Sequence, residues 1–81
     1  MIIAFSPRAW DDYRHWQEME RKRLNNLIEE CGRTPFSGTG KPEPLKNELQ
    51  GWWSRRIDHE HRLVYRVRGD VLEIAQCRYH Y

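Results

Sequence analysis

Two side chains in the 81-residue sequence have types suited to acid–base chemistry. Glu43 lies between prolines in Pro42-Glu43-Pro44, and His80 lies at the tail of the last predicted strand. Cleavage of RNA without a metal needs a base that takes a proton from the 2′-hydroxyl, an acid that protonates the leaving 5′-oxygen, and positive charge around the phosphorane. Glu43, His80 and the arginines of two neighbouring predicted strands are compatible with these three tasks.

Each of these residues also has an ordinary interpretation. A glutamate between prolines is commonly an exposed surface residue, and chain ends are poorly ordered unless something holds them. The tail argues against fraying, because residues 77–81 continue the pattern of the last predicted strand and place Tyr81 where it could stack on a base. Residue types alone therefore leave RNA cleavage, RNA binding and a plain surface role open.

Covalent and metal chemistry have less support. Cys31 lies on the apolar stripe of a predicted helix and Cys77 within the last predicted strand, where thiols usually pack as small hydrophobic groups. His59, His61, Cys77 and His80 are metal-ligand types, but the sequence has no C-x₂-C pair and no H-E-x-x-H helix. We predict neither a metal nor another cofactor.

The composition predicts one cytoplasmic domain over residues 1–81. This length suits a single core, the two cysteines make no disulfide framework, and no apolar run approaches the roughly 20 residues that cross a membrane. The net charge is only +2, yet arginines, whose forked guanidinium fits phosphate oxygens, are concentrated after residue 50. A solvated sheet face would explain them equally well. They are Arg55, Arg56, Arg62, Arg66, Arg68 and Arg78.

The first half of the sequence predicts a strand and a helical hairpin. Residues 2–5 form a short apolar run, and Ser6 and Pro7 are typical of a helix N-cap and first helical position. Apolar residues then recur at helical spacing over 9–31. Gly32 follows where a C-terminal cap is expected.

The second half predicts an antiparallel sheet. A loop with three prolines and two glycines, RTPFSGTGKPEP, covers residues 33–44, and beyond it the apolar period becomes two. Strands are predicted at 53–57, 61–68 and 71–79, and strands joined by short turns pair antiparallel. The predicted class is α+β, with an N-terminal strand and the helical hairpin packed on one face of a curved antiparallel sheet.

Four motifs carry a resemblance to a known family. They are G-K-P-E-P-L-K, S-R-R-I, E-H-R-L-V-Y and the terminal R-Y-H-Y, in that order. In order and spacing they resemble the YoeB family of type II toxin–antitoxin toxins, within the RelE/ParE superfamily. The resemblance covers essentially the whole chain and implies a RelE-like fold. It also implies an mRNA interferase that cuts message in the ribosomal A site, leaving a 2′,3′-cyclic phosphate, or its opened form, and a 5′-hydroxyl.

The resemblance also implies a role for each matching residue. Glu43 in K-P-E-P resembles the residue that acts as the general base in the family, and His80 in R-Y-H-Y resembles the general acid. Arg62 in E-H-R-L resembles the residue that stabilises the phosphorane. The division of proton transfer among Glu43, Lys46, Arg62 and His80 stays open. Three further residues would bind the substrate. Arg56 would be a second phosphate ligand, Lys46 would help to hold the RNA backbone, and Tyr81 would orient the substrate or His80. The departures from the family pattern, at Trp52 and Thr39, touch none of these positions.

The same resemblance implies a protein partner, an antitoxin of the YefM type, and is compatible with a homodimer. An acidic, apolar-studded antitoxin tail would suit an arginine-rich sheet face. Two alternatives within reach of this sequence are a ParE-like gyrase-inhibiting toxin and a non-catalytic module that binds RNA or the ribosome.

Overall fold

The computed structural model describes residues 1–80, in which two helices cover one face of a five-stranded sheet. The helices are α1 (Pro7–His15) and α2 (Glu18–Arg33). The strands are β1 (Ile2–Phe5), β2 (Glu43–Pro44), β3 (Trp53–Arg56), β4 (Arg62–Arg68) and β5 (Val71–Gln76). The α+β class predicted from the sequence is confirmed.

Helix α1 begins as its sequence predicts. The Ser6 hydroxyl accepts the Ala9 amide at 3.0 Å, and Pro7 occupies the first turn, where a missing N–H costs nothing. The predicted cap at Gly32 is wrong, because α2 continues to Arg33 and Thr34 is its C-terminal cap. Gly32 instead gives room to the N-terminal residue, since a Cβ there would lie 3.0 Å from the Met1 sulfur.

The sheet is mixed rather than wholly antiparallel. Its order is β1-β5-β4-β3-β2, and the predicted antiparallel pairing of β3, β4 and β5 is confirmed. Strand β1 pairs with β5 in parallel, from Ile2 opposite Val71 to Phe5 opposite Ile74. No short turn joins these two strands, so the antiparallel rule for hairpins does not apply to them. Strand β2, inside the predicted loop, adds a short antiparallel edge.

The core lies between the helices and the covered face of the sheet. Strand alternation directs one set of side chains to this face and the other set to the face opposite. In the described residues, no helix is both long and apolar enough to cross a membrane. The buried apolar cluster consists of Ala9, Leu24, Leu27, Ile28, Cys31, Ile57, Leu63, Tyr65, Leu72, Ile74 and Cys77.

Candidate active site

The face of the sheet away from the helices, which we call the open face, carries a row of four side chains that crosses four strands. Glu43 of β2 lies opposite Ser54 of β3, Ser54 lies opposite Val64 of β4, and Val64 lies opposite Gln76 of β5. Residues directly opposite one another in antiparallel strands share a face. The predicted base Glu43 therefore belongs to the open face.

Two predicted phosphate ligands lie on the same face, next to this row. Arg56 is two residues beyond Ser54 and lies opposite Arg62, which is two residues before Val64. Strands lie about 4.8 Å apart and same-face residues recur about every 7 Å, so the Cα atoms of Glu43 and Arg62 are roughly 12 Å apart. Extended glutamate and arginine side chains reach one phosphodiester from the two ends of such a span.

The Arg62 guanidinium is held at the turn before β4. Its Nη1 donates to the backbone oxygens of Asp58 and His61, each at 3.0 Å. This contact engages one nitrogen of a group that carries five N–H donors. The side chain is thus fixed in position at the start of its strand.

The C-terminal tail folds back toward the open face. Strand β5 ends at Gln76, so the predicted extension to residue 79 is wrong. Tyr79 has a left-handed backbone (φ 65°), which reverses the chain, and its carbonyl accepts the Arg62 amide at 3.0 Å. The Gln76 amide nitrogen donates to the carbonyls of Arg78 and His80 at 3.2 and 3.3 Å. These bonds place His80 beside the row and beside Arg62, while the predicted substrate residue Tyr81 lies outside the described residues.

The segment that carries Glu43 is attached to the sheet at both of its ends. Upstream, the Arg56 amide donates to the Gly40 carbonyl at 2.7 Å. Downstream, the Leu45 amide donates to the Trp52 carbonyl at 2.9 Å. Gly40 has φ 87°, and a Cβ there would lie 2.8 Å from the Arg56 oxygen. Glu43 and Lys46 line one groove of about 390 Å³ at this edge.

Arg55 differs from the other arginines of the second half, because it is fully buried. Its Nη1 lies 2.8 Å from Glu30 Oε2, its Nε donates to the Tyr65 hydroxyl at 3.0 Å, and its Nη2 donates to the Ser37 carbonyl at 2.8 Å. Nη1 also donates to the Thr39 carbonyl at 3.2 Å. Arg55 therefore ties the loop before Glu43 to α2 and the sheet, and it is neither a phosphate ligand nor part of a solvated face. Strand alternation held the signal for this, since Arg55 and Arg56 cannot share a face.

Hydrogen bonds in this network favour the charged forms of Glu30 and Arg55. The Thr39 backbone amide, with the Thr39 hydroxyl and Arg55, holds the pKa of Glu30 below its ordinary value. Burial lowers the pKa of Arg55, but bonds to Tyr65 and Glu30 outweigh it, and the pKa lies above its ordinary value. Burial raises the pKa of Tyr65 to about 12. The ion pair therefore stays charged and Tyr65 stays neutral near neutral pH.

The two thiols are poorly placed for covalent catalysis. Both are fully buried, and burial raises the pKa of Cys31 to about 11 and that of Cys77 to about 12. A thiol is a nucleophile only as the thiolate. Over residues 1–80, no group of three or more His, Cys, Asp and Glu side chains is arranged to hold a metal ion.

Comparison with known proteins gives concordant results in sequence and structure. The family model for the YoeB-like toxin of bacterial type II toxin–antitoxin systems matches residues 5–81. Toxin YoeB of Escherichia coli K12 is 57% identical over the full length of both chains. A YoeB/ParE toxin from Agrobacterium tumefaciens, 50% identical, superposes over all of both chains with a TM-score of 0.93.

Two solved structures from Staphylococcus aureus, a YoeB dimer and a YoeB–YefM complex, are each 45% identical to the chain. They match all of it and 98% of their own chains, with TM-scores of 0.90 and 0.91. The fold and the matching site sequence define the class as an α+β bacterial toxin. The chain belongs to the family of YoeB-like toxins of type II toxin–antitoxin systems, as its motifs indicated.

Proposed function

We propose that this toxin is a metal-independent endoribonuclease that cuts messenger RNA in the ribosomal A site and so inhibits translation in the cytoplasm. The observation that carries the proposal is the arrangement of the open face. A carboxylate, two guanidinium groups and the tail with its histidine lie on neighbouring strands around one surface.

The residues divide the reaction as follows. Glu43, as the carboxylate, takes the proton of the 2′-hydroxyl while its oxygen bonds to phosphorus. Arg62 and Arg56 stabilise the negative charge of the phosphorane, to which preorganised donors contribute strongly. His80, as the imidazolium, protonates the 5′-oxygen as its bond to phosphorus breaks, leaving a 2′,3′-cyclic phosphate and a 5′-hydroxyl. Lys46 holds the backbone, and Tyr81 orients the nucleotide or His80.

Ribosome dependence follows from the charge of the chain. A net charge of +2 gives few phosphate contacts, and each is weakened by salt. Arg55 adds nothing to RNA binding, because it is buried in its own ion pair. The ribosome supplies the remaining binding surface and presents the message already bent, so free RNA is a poor substrate.

A YefM-type antitoxin is the inhibitory partner, and a homodimer is the assembly of the free toxin. The proposal is supported by the S. aureus relatives, whose solved structures are a YoeB–YefM complex and a YoeB dimer. An acidic segment of the antitoxin would meet Arg56 and Arg62 on the open face and keep RNA from it.

The test uses purified toxin, programmed ribosomes and mapping of 5′ ends. Glu43→Gln and His80→Ala should each abolish cutting, whereas Glu18→Gln and His59→Ala, at exposed positions, should cut normally. Wild-type toxin should cut naked RNA much more slowly than ribosome-bound message. If inhibition of growth survives both site substitutions, cleavage is not the mechanism. Loss of DNA supercoiling would then favour a ParE-like gyrase inhibitor, and a stop in translation without cleavage would favour a non-catalytic RNA-binding module.

A further inference from the structure

We propose that His61 is a positioning residue for the reaction, because its ring accepts the backbone amide of Tyr79 and thereby holds the tail that carries His80. The inference rests on the proposed function, in which His80 is the general acid. His61 itself lies beside the tail, where its ring contacts the Tyr79 backbone and Trp16.

The bond that holds the tail is short and directional. The Tyr79 amide donates to His61 Nδ1 at 2.7 Å, and the neighbouring Arg62 amide donates to the Tyr79 carbonyl at 3.0 Å. His61, just before β4, and Arg62, its first residue, therefore bind both backbone polar groups of Tyr79. Because Tyr79 has φ 65°, a conformation unfavourable for a residue with a side chain, these bonds help to keep the chain reversed at this point.

The bond also requires one protonation state of the ring. Nδ1 accepts a hydrogen bond only through its lone pair, so the proton of the neutral imidazole is on Nε2. Nε2 lies 3.7 Å from the Glu60 carboxylate, a neighbour that favours a proton there. The geometry thus assigns His61 a fixed tautomer.

Contacts on the helical side of the sheet fix the position of the His61 ring. The rings of His61 and Trp16, the C-cap residue of α1, meet edge to face with centroids 5.0 Å apart, and the His61 side chain is mostly buried. The same Trp16 donates its indole N–H to the Cys77 carbonyl at 2.9 Å. Asp58 Oδ1 accepts the backbone amide of His61 at 2.8 Å. The hydrogen bonds and ring contacts of Trp16, Asp58 and His61 therefore brace the tail against the helical hairpin.

Loss of the acceptor should release the tail without unfolding the protein. The remaining tail bonds, from Gln76 and from the Arg62 amide, stay in place, so the tail would sample the productive position less often rather than leave the surface. Misplacement of a catalytic group by about 1 Å can cost up to about 100-fold in rate. Binding of the message by Arg56 and Lys46 would be little affected.

The experiment compares His61→Phe, which keeps an aromatic ring on Trp16 but has no acceptor, with His61→Asn, whose Oδ1 takes about the place of Nδ1. With ribosome-bound message, His61→Phe should lower kcat about tenfold or more and change KM less than about twofold. His61→Asn should stay within about threefold of wild type, and His59→Phe, at the exposed neighbouring histidine, should match wild type. Equal losses in His61→Phe and His61→Asn, or full kcat in His61→Phe, would overturn the proposal.

A second measurement does not depend on activity. Hydrogen exchange of the Tyr79 amide, followed by NMR in the free toxin, should be about tenfold faster in His61→Phe than in His61→Asn. In unsubstituted toxin, long-range ¹H–¹⁵N spectra should give His61 Nδ1 as the unprotonated nitrogen, and a proton on Nδ1 in the folded protein would contradict the inference even if both variants failed to fold. If His80→Ala cuts like wild type, the proposed function fails, and the exchange rate then decides separately whether His61 holds the tail.

Discussion

Glu30 of α2 and Arg55 of β3 form an ion pair at 2.8 Å, with the arginine fully buried and the carboxylate about three-quarters buried. The same guanidinium binds backbone carbonyls of the loop that leads to Glu43. One side chain therefore joins the helical layer, the sheet and the segment that carries the proposed base.

Replacement of Arg55 by methionine should destabilise the protein by about 3 kcal/mol, because it leaves Glu30 and several loop carbonyls without their buried donor. Urea unfolding followed by circular dichroism would measure this. The matched control is Arg56→Met, the same change one residue along the strand at an exposed side chain, which should stay within about 0.5 kcal/mol of wild type. Equal unfolding midpoints for both variants would contradict the structural role of Arg55.

The Glu30 carboxylate also predicts a dependence of stability on pH. The pKa of Glu30 is lower in the folded protein than its ordinary value of 4.5, chiefly through the Thr39 amide. Its contribution is therefore complete above that ordinary value and is lost as the pH falls through the folded pKa. The difference in unfolding free energy between wild type and Glu30→Gln should shrink over this acidic range. A difference that stays constant down to the lowest pH at which both proteins fold would argue against the assignment.

Gly40→Ala should impair both stability and activity. The residue has φ 87°, and the added Cβ would press on the Arg56 carbonyl, so the loop before Glu43 must move. We expect a loss of about 1–3 kcal/mol, with a fall in cleavage rate that exceeds the loss of folded protein. Gly51→Ala is the control, since Gly51 has a similar φ of 94° but no atom within 4 Å of the new Cβ, and it should show the backbone cost alone.

Arg62→Ala should lower the single-turnover rate on ribosome-bound message by about 100- to 1,000-fold, the usual cost of losing a donor to a developing charge. Arg62→Lys should recover only part of this, because an ammonium does not reproduce the forked guanidinium. Arg68→Ala removes an exposed arginine from the same face of the same strand and should leave the rate unchanged. A rate for Arg62→Ala within twofold of wild type would remove Arg62 from the mechanism.

Local signals in the sequence were sufficient for most of the fold. The Ser6-Pro7 start of α1 and the alternation of β4 are decided by neighbouring residues, and both are confirmed. Gly32 misled the prediction because its small size serves the packing of Met1 rather than a helix end. The parallel pairing of β1 with β5 depends on the path of the whole chain, which local periodicity does not encode.

The candidate site was predictable in its residues but not in its supports. Motif resemblance selected Glu43, Arg62 and His80, and their roles remain predictions. The path of the tail could not be predicted, because alternation alone assigns residues 77–79 to a strand. The reversal depends on the left-handed backbone of Tyr79 and on its distant hydrogen-bond acceptor, His61. The burial of Arg55 was within reach of strand alternation, but a count of arginines treats all six alike.

The pairing of β1 with β5 also bears on when the protein can become toxic. Ile2 pairs with Val71, and the Ser6 hydroxyl donates to the Ala75 carbonyl 69 residues later. Strand β1 is synthesised first and therefore cannot pair until β5 has been made. Contacts of such long sequence separation are slow to form, because the chain between them must first close into a loop. During its own translation the nascent chain therefore has no complete sheet until synthesis has passed β5, and we expect toxicity that needs the folded protein only after that point.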